Sequence, residues 1–219
     1  MDITNKVANF LGDSISEGTG VSSPDNIYLN LLKQEAPLAA VNNYSISGTR
    51  IAAQLSPSSD PTYDQYFGSR VDSMEPNADI VVVFGGTNDF GHGDAPLGSF
   101  QDRTVYTFYG ACRLLMEQLL AQYPTSTIVF MTPLHRIGEE NPRGEGYKMA
   151  DAAPLATYVN IIKEVGAYYS IPVLDLFSLS GMQPNVPAIL NQYCPDGLHP
   201  NDAGHQLIAS RLEGFLNSL

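Results

Sequence analysis

Short apolar runs rich in β-branched residues alternate along this chain with longer segments whose apolar residues recur at helical spacing. Two of the runs show no alternation with polar residues, namely Ile80-Val81-Val82-Val83-Phe84 and Ile128-Val129-Phe130-Met131. Such runs are typical of strands that are covered on both faces of a parallel sheet. Strands are predicted at residues 6–11, 40–44, 79–84, 127–132 and 171–174, and helices at residues 28–34, 107–122, 155–168 and 202–216.

Strands that alternate with helices over the whole length predict an α/β fold of three α/β/α layers. We expect a flavodoxin-like, doubly wound sheet of about five parallel strands with right-handed crossovers, forming a single domain over residues 1–219. Ligands of such sheets bind at the carboxyl ends of the strands. Three long polar connections, residues 49–74, 90–104 and 133–150, leave strands at that edge. We expect them to form the walls of a substrate pocket.

The composition of the chain limits the kinds of molecule that the protein is expected to bind. The 219 residues carry a formal net charge of −12, which disfavours nucleic acid because a polyanion would be repelled. No apolar run reaches the 18 or more residues of a membrane span. The first predicted strand begins near Lys6 and leaves no room for a secretory leader, so the expectation is a cytoplasmic protein, or a secreted one if a leader has been removed. Cys112 and Cys194 form no metal-type pair and are expected to pack in the interior.

A serine stands directly after the first predicted strand, in the segment Gly12-Asp13-Ser14-Ile15-Ser16. A serine hydroxyl is a weak nucleophile unless a base takes its proton. At a strand-to-helix turn its oxygen can be exposed while backbone N–H groups face a developing oxyanion. The alternative is that Ser14 only caps the following helix. This motif alone does not decide between the two interpretations.

A base and an orienting acid lie near the other end of the chain, in Asp196-Gly197-Leu198-His199-Pro200. On a tight loop the Asp196 carboxylate can accept from Nδ1 of His199, which leaves Nε2 to take the serine proton. The alternative is that Asp196 caps a turn and His199 is incidental. His205 falls on the last predicted helix, and a structural role is expected for it.

Two further segments offer hydrogen-bond donors at neighbouring strand ends. Asn88, in Gly85-Gly86-Thr87-Asn88-Asp89, carries a side-chain amide that can donate to an oxyanion, although it can equally serve as a turn residue. Gly48 can supply a backbone N–H with no side chain in the way. Because Ser14, Gly48 and Asn88 each follow a strand by a few residues, we expect them at the same edge of the sheet.

Together these four segments resemble the SGNH hydrolase (GDSL esterase/lipase) family, over nearly the whole chain from Leu11 to His205. The segment that contains Gly48 is Asn43-Tyr44-Ser45-Ile46-Ser47-Gly48, and Ser45 stands in it where glycine is usual in the family. The resemblance implies a catalytic triad and an oxyanion hole, with no metal and no cofactor. The implied triad is Ser14, His199 and Asp196, and the implied oxyanion donors are the N–H groups of Ser14 and Gly48 and the amide of Asn88.

The expected reaction is hydrolysis of a carboxylic ester through an acyl-serine intermediate. The polar residues in the predicted pocket loops favour a short acyl group such as acetyl on a carbohydrate or another polar alcohol, so the expected partner is a small-molecule or glycan ester. A lipase or lysophospholipase on longer chains is the alternative. The polar loop residues are Asp94, Asp102, Arg103, His92, Asn141 and Arg143.

No motif marks the residues that contact the substrate, and they are proposed from their positions alone. Asp13, Phe90, His92 and His135 are proposed from their positions in or beside the pocket loops. Aromatic rings can stack on a sugar, and the candidates for this role, which can equally be core residues, are Phe90, Phe100, Tyr106 and Tyr109. For Arg50 a surface salt bridge is expected.

Other classes fit the sequence less well. A metallophosphoesterase also opens with Gly-Asp after a strand, but this chain lacks an Asp-x-His pair near its start. A flavodoxin-like FMN-binding module would place Asp13 beside a phosphate, which is electrostatically unfavourable. An α/β-hydrolase requires a Gly-x-Ser-x-Gly elbow, which is absent from the sequence. An interaction protein without catalytic activity is a further interpretation that the sequence leaves open.

Overall fold

The structure is a computed structural model that describes residues 1–145 and 153–219. Within these residues the strands are β1 Val7–Gly12, β2 Ala40–Asn43, β3 Ile80–Phe84, β4 Thr127–Met131 and β5 Val173–Leu174. They are parallel and form one sheet in the order β2-β1-β3-β4-β5. This order, with helices on both faces, confirms the predicted three-layer α/β/α fold.

Helices cover the two faces of the sheet. One layer contains α5 and α6, and the other contains α2 and α9. The α-helices are α1 Ser14–Glu17, α2 Tyr28–Glu35, α3 Phe67–Arg70, α4 Thr87–Gly91, α5 Phe108–Gln122, α6 Leu155–Tyr168, α7 Leu176–Leu179, α8 Pro187–Tyr193 and α9 Asp202–Ser218. Within the described residues, no helix is both long and apolar enough to cross a membrane.

The central strand β3 explains the uninterrupted apolar run seen in the sequence. Val81 and Val83 pack into the core beneath α5 and α6, whereas Ile80, Val82 and Phe84 pack into the core beneath α2 and α9. Successive side chains of a strand point to opposite faces, so a strand between two helix layers has no position for a polar residue. All five residues are buried.

The predicted elements and the observed ones differ mainly at their ends. α5 begins at Phe108 because Thr107 is its N-cap and accepts a hydrogen bond from the Gly110 N–H. β5 has only two residues, Val173–Leu174, instead of the four predicted. The short helices α1, α3, α4, α7 and α8 were not predicted, because four to seven residues are too few to show a helical period.

The sheet order brings three candidate segments side by side. β1 pairs with β2 on one side and with β3 on the other, with Phe10 opposite Asn43 and Gly12 opposite Phe84. The turns that follow these three strands therefore meet at one edge of the sheet. The connection between α8 and α9 also lies at this edge of the sheet, as the contact of its residue His199 with Ser14 shows.

Candidate active site

Ser14, His199 and Asp196 lie in a hydrogen-bonded line. Oγ of Ser14 is 3.0 Å from Nε2 of His199, and Nδ1 of the same ring is 2.7 Å from Oδ2 of Asp196. When Nδ1 carries the proton and donates to the carboxylate, Nε2 is free to accept from the serine hydroxyl. These are the contacts that general-base activation of a serine requires.

The Asp196 carboxylate is held charged by its surroundings. Burial alone would raise its pKa, but hydrogen bonds from the His199 ring and from the backbone N–H groups of His199 and Leu198 outweigh burial and lower the pKa. Those two N–H groups donate to Oδ1 at 2.7 and 2.8 Å. Gly197, with a φ of +80°, makes the turn possible, and its carbonyl accepts from the Ile137 N–H at 2.8 Å.

Ser14 is the first residue of α1, and Asp13 is the N-cap of that helix. Oδ1 of Asp13 accepts from the Ile15 N–H at 3.1 Å, so the interpretation of Ser14 as a helix cap is wrong. The N–H of a first helical residue has no acceptor within its own helix. It is therefore available to a negatively charged oxygen next to the Ser14 hydroxyl.

Gly48 and Asn88 line the same cleft as Ser14. Gly48 has a φ of +74°, and its carbonyl accepts from Nε2 of His92 and from the Arg50 guanidinium, both at 3.2 Å. Nδ2 of Asn88 donates to the Thr49 carbonyl at 2.9 Å. A side-chain amide has two hydrogens, so one remains for a ligand. The structure thus brings together the three donors that the sequence suggested.

Two buried residues that were not predicted from the sequence hold the segments of Ser14, Gly48 and Asn88 together. The Arg70 guanidinium donates to the carbonyls of Gly12 and Tyr44 and to Oγ1 of Thr49, and so joins the ends of β1 and β2 to the segment after Gly48. Burial lowers the pKa of Arg70 to about 10, so it stays charged at neutral pH. No local signal marks this arginine in the sequence.

Asp89 is the second of these residues. Its two carboxylate oxygens accept from the N–H groups of Ile51 and Ala52 at 2.9 and 2.8 Å. It thereby ties the chain after Gly48 to the helix that carries Asn88. Its position next to Asn88 in the motif is the signal that could have drawn attention to it.

A cleft of about 790 Å³ opens over these groups, within the range of roughly 300–1,000 Å³ that is usual for ligand sites. The three long connections predicted as pocket walls all contribute, for example through Tyr63, Asp94 and Glu145; residues 146–150 of the third lie outside the described part. The lining residues are Ser14, Thr19, Ser47, Gly48, Arg50, Gln54, Ser56, Pro57, Ser58, Ser59, Tyr63, Asn88, His92, Asp94, Glu145, Leu198 and His199.

Of the four candidate substrate contacts, only His92 lines the cleft. Phe90 is 1% exposed and packs against Tyr158 with ring centroids 5.9 Å apart, so its proposed contact with substrate is wrong. The His135 ring lies on Phe177 and is paired with Glu139 away from the cleft, which removes His135 as well. Asp13 is buried as the cap of α1, with no face toward the cleft lining.

Several other side chains also differ from expectation. Arg50 forms the expected salt bridge, with Asp64 at 3.5 Å, but it is buried and not at the surface. Its guanidinium also donates to the carbonyls of Tyr63 and Gly48. Phe100 and Tyr109 pack against each other outside the cleft. Among the remaining predicted loop residues Asp94 lines the cleft, and those that do not are Asp102, Arg103, Tyr106, Asn141 and Arg143.

The buried Asp13 carboxyl has an unusual acidity. Burial, followed by the nearby negative charge of Asp89, raises its pKa to about 7 against the hydrogen bond from Ile15 and the positive charges of Arg70 and Arg136. An ordinary aspartate ionises near 3.8. A carboxyl group directly beside Ser14 therefore changes charge near neutral pH.

The other predictions for buried side chains hold. Cys112 and Cys194 are free thiols buried in the interior. His205 is fully buried, and its Nδ1 accepts from the Tyr28 N–H at 3.1 Å, which is the structural role expected for it.

A serine, an imidazole and a carboxylate in line at the carboxyl edge of a three-layer α/β/α sheet form the arrangement of a serine hydrolase. The chain matches the model of the GDSL-like Lipase/Acylhydrolase family over residues 10–207, and it belongs to this family. The resemblance stated from the motifs is thereby confirmed, and so is the assignment as an ester hydrolase.

Solved structures with the same fold extend the comparison. A protein from Lactobacillus plantarum shares 31% sequence identity with a TM-score of 0.85, and the match covers 99% of this chain and 98% of the other. A lipase/acylhydrolase from Enterococcus faecalis shares 21% identity with a TM-score of 0.64, covering 97% and 96%. An acetyl xylan esterase shares 20% identity with a TM-score of 0.63, covering 95% and 98%. The last two show the fold. No curated protein matched the chain.

Proposed function

We propose that the protein hydrolyses carboxylic esters through an acyl-Ser14 intermediate, and that the ester is a short acyl group, acetyl above all, on a carbohydrate or another polar alcohol. The observation that supports the chemistry is the line of hydrogen bonds from Ser14 through His199 to Asp196. The acetyl xylan esterase with the same fold agrees with the substrate class.

The reaction follows from the positions of these groups. Oγ of Ser14 attacks the ester carbonyl carbon as Nε2 of His199 takes the hydroxyl proton. The carbonyl oxygen becomes an oxyanion, which the N–H groups of Ser14 and Gly48 and the amide of Asn88 stabilise. The C–O bond to the alcohol then breaks, and His199 returns its proton to the leaving oxygen. In the second half water attacks the acyl carbon as Nε2 of His199 takes its proton. The bond from the acyl carbon to Oγ of Ser14 then breaks as His199 returns this proton to Oγ, which releases the acid and free Ser14.

The first test asks whether Ser14 is the nucleophile. An alkyl fluorophosphonate should form one covalent adduct, which peptide mapping by mass spectrometry should locate on Ser14. Ser14→Ala should be neither labelled nor active on 4-nitrophenyl acetate, while its melting temperature stays near that of the wild type. Denatured wild-type protein is the control for non-specific labelling. An adduct on a different residue, or persistent ester hydrolysis by Ser14→Ala, would exclude the mechanism.

The second test addresses the acyl group. Among the described residues that line the cleft, only Pro57, Tyr63 and Leu198 carry a largely apolar side chain, so a lengthening acyl chain gains little burial in it. Across 4-nitrophenyl esters from acetate to palmitate, kcat/KM should be highest for acetate. A cleft that buried the chain would instead gain about fourfold per methylene, from ~0.8 kcal/mol each. A rise with chain length would favour the lipase alternative.

A further inference from the structure

Tyr63 lies beside the oxyanion donor Gly48. A Cβ atom placed on Gly48 would be 2.8 Å from Cδ1 and 3.1 Å from Cε1 of the Tyr63 ring, so the ring approaches the backbone as closely as the missing side chain allows. Tyr63 is nevertheless 44% exposed, and it lines the cleft together with Ser14 and His199. An exposed aromatic surface therefore adjoins the position of the reacting carbonyl.

The segment that carries this ring is held firmly. Residues Pro61–Asp64 form a short 3-10 helix whose N-cap, Asp60, accepts from the Thr62 N–H at 2.9 Å. The Tyr63 carbonyl accepts from the buried Arg50 guanidinium at 2.6 Å. The Asp64 carboxylate accepts from the N–H and the hydroxyl of Ser58 at 2.9 and 2.6 Å. The ring thus lies on a fixed segment of the wall and need not be ordered by a ligand.

Polar side chains line the same cleft as the Tyr63 ring. Hydroxyl and amide side chains line the cleft on the same connection, and among the described lining residues Tyr63 is the one with a phenyl-type ring. A pyranose presents an apolar C–H face and a rim of hydroxyl groups. An aromatic face bordered by hydrogen-bonding side chains matches both parts of it. The hydroxyl and amide residues of this connection that line the cleft are Gln54, Ser56, Ser58 and Ser59, and Ser47 lines it from the segment before Gly48.

We propose that Tyr63 is the platform on which a sugar ring of the substrate packs, so that an acetyl group on that ring reaches Ser14. This inference rests on the proposed ester hydrolysis and adds a specificity-determining residue to it. An acyclic acetyl ester has no ring to place on Tyr63, so the residue discriminates between two substrates that undergo the same chemistry.

The test compares acetylated methyl xyloside with glycerol triacetate by acetate release. Tyr63→Ser should raise KM for the xyloside about tenfold, the value of one aromatic contact, with little change in kcat, and leave kcat/KM for glycerol triacetate within about twofold. Tyr63→Phe keeps the ring and should behave as wild type. Tyr106→Ser is the matched control, because Tyr106 is 50% exposed and lies outside the cleft.

Each other outcome overturns the proposal. An equal loss on both esters would mean that Tyr63 only supports Gly48. No loss on either would mean that no sugar packs on the ring. A wild-type enzyme that hydrolyses glycerol triacetate but not the xyloside would reject the platform and keep the ester hydrolase. A wild-type enzyme inactive on both esters and unlabelled by the phosphonate would reject the proposed function itself.

Discussion

His199→Ala is expected to lower kcat by about 10⁶-fold and Asp196→Asn by about 10⁴-fold, as in serine hydrolases whose triad acts as a unit. Among the residues that the structure describes, His199 is the base in hydrogen-bond contact with the Ser14 hydroxyl, and without its imidazole the hydroxyl proton loses this acceptor. With asparagine at position 196 the base remains, but its Nδ1 proton loses a charged acceptor that lies 2.7 Å away. The imidazole then populates the wrong tautomer and is held less firmly.

The measurement is kcat on 4-nitrophenyl acetate, together with the melting temperature of each variant. His135→Gln is the control, because that histidine lies outside the cleft and pairs with Glu139 and Phe177. Its replacement should change kcat by less than about threefold, and the loss of its contacts should be seen in the melting temperature instead. Wild-type turnover by Asp196→Asn would show that this carboxylate does not orient His199. Equal losses in Asp196→Asn and His199→Ala would show that it does more than orient.

The positions of Ser14, Gly48 and Asn88 could be predicted because they follow from topology. Each comes shortly after an apolar strand, and the carboxyl ends of neighbouring parallel strands meet at one edge. The strands themselves are evident from an apolar pattern that two covering helix layers impose. Asp196 and His199 were found in another way, because three residues on a tight turn are close enough for direct contact.

Side-chain directions within the long connections could not be predicted from the sequence. Phe90 and Tyr63 both stand in polar, turn-rich segments, yet Phe90 lies on α4 and points into the core, whereas Tyr63 faces the cleft. Helix α4 has five residues, too few to reveal a buried face by periodicity. Arg70 is hidden for a similar reason, since its partners are carbonyl groups distant in sequence.

Asp13→Asn is expected to stabilise the fold at pH 8 but not at pH 4. Burial raises the pKa of Asp13 to about 7, against 3.8 for an ordinary aspartate. Between these values the folded protein holds a proton that the unfolded chain has lost, so this group lowers the free energy of unfolding as pH rises from about 4 to about 7. The pKa difference between the folded and unfolded states corresponds to on the order of 4 kcal/mol in the free energy of unfolding, at about 1.4 kcal/mol per pKa unit. Asparagine does not ionise, and it can still cap α1 by accepting from the Ile15 N–H.

Urea unfolding at pH 4, 5.5, 7 and 8 measures this effect as the stability of the variant minus that of the wild type. The difference should grow with pH and level off above pH 7. Asp79→Asn is a control of opposite sign, because hydrogen bonds from the Val7 N–H and from Lys6 lower the pKa of Asp79. That variant should lose stability relative to wild type at neutral pH and regain it as pH falls through the range where Asp79 is protonated. A pH-independent difference for Asp13→Asn would contradict the buried, proton-holding carboxyl. A growing one would mean that the residue before Ser14 lowers the stability of the fold at neutral pH.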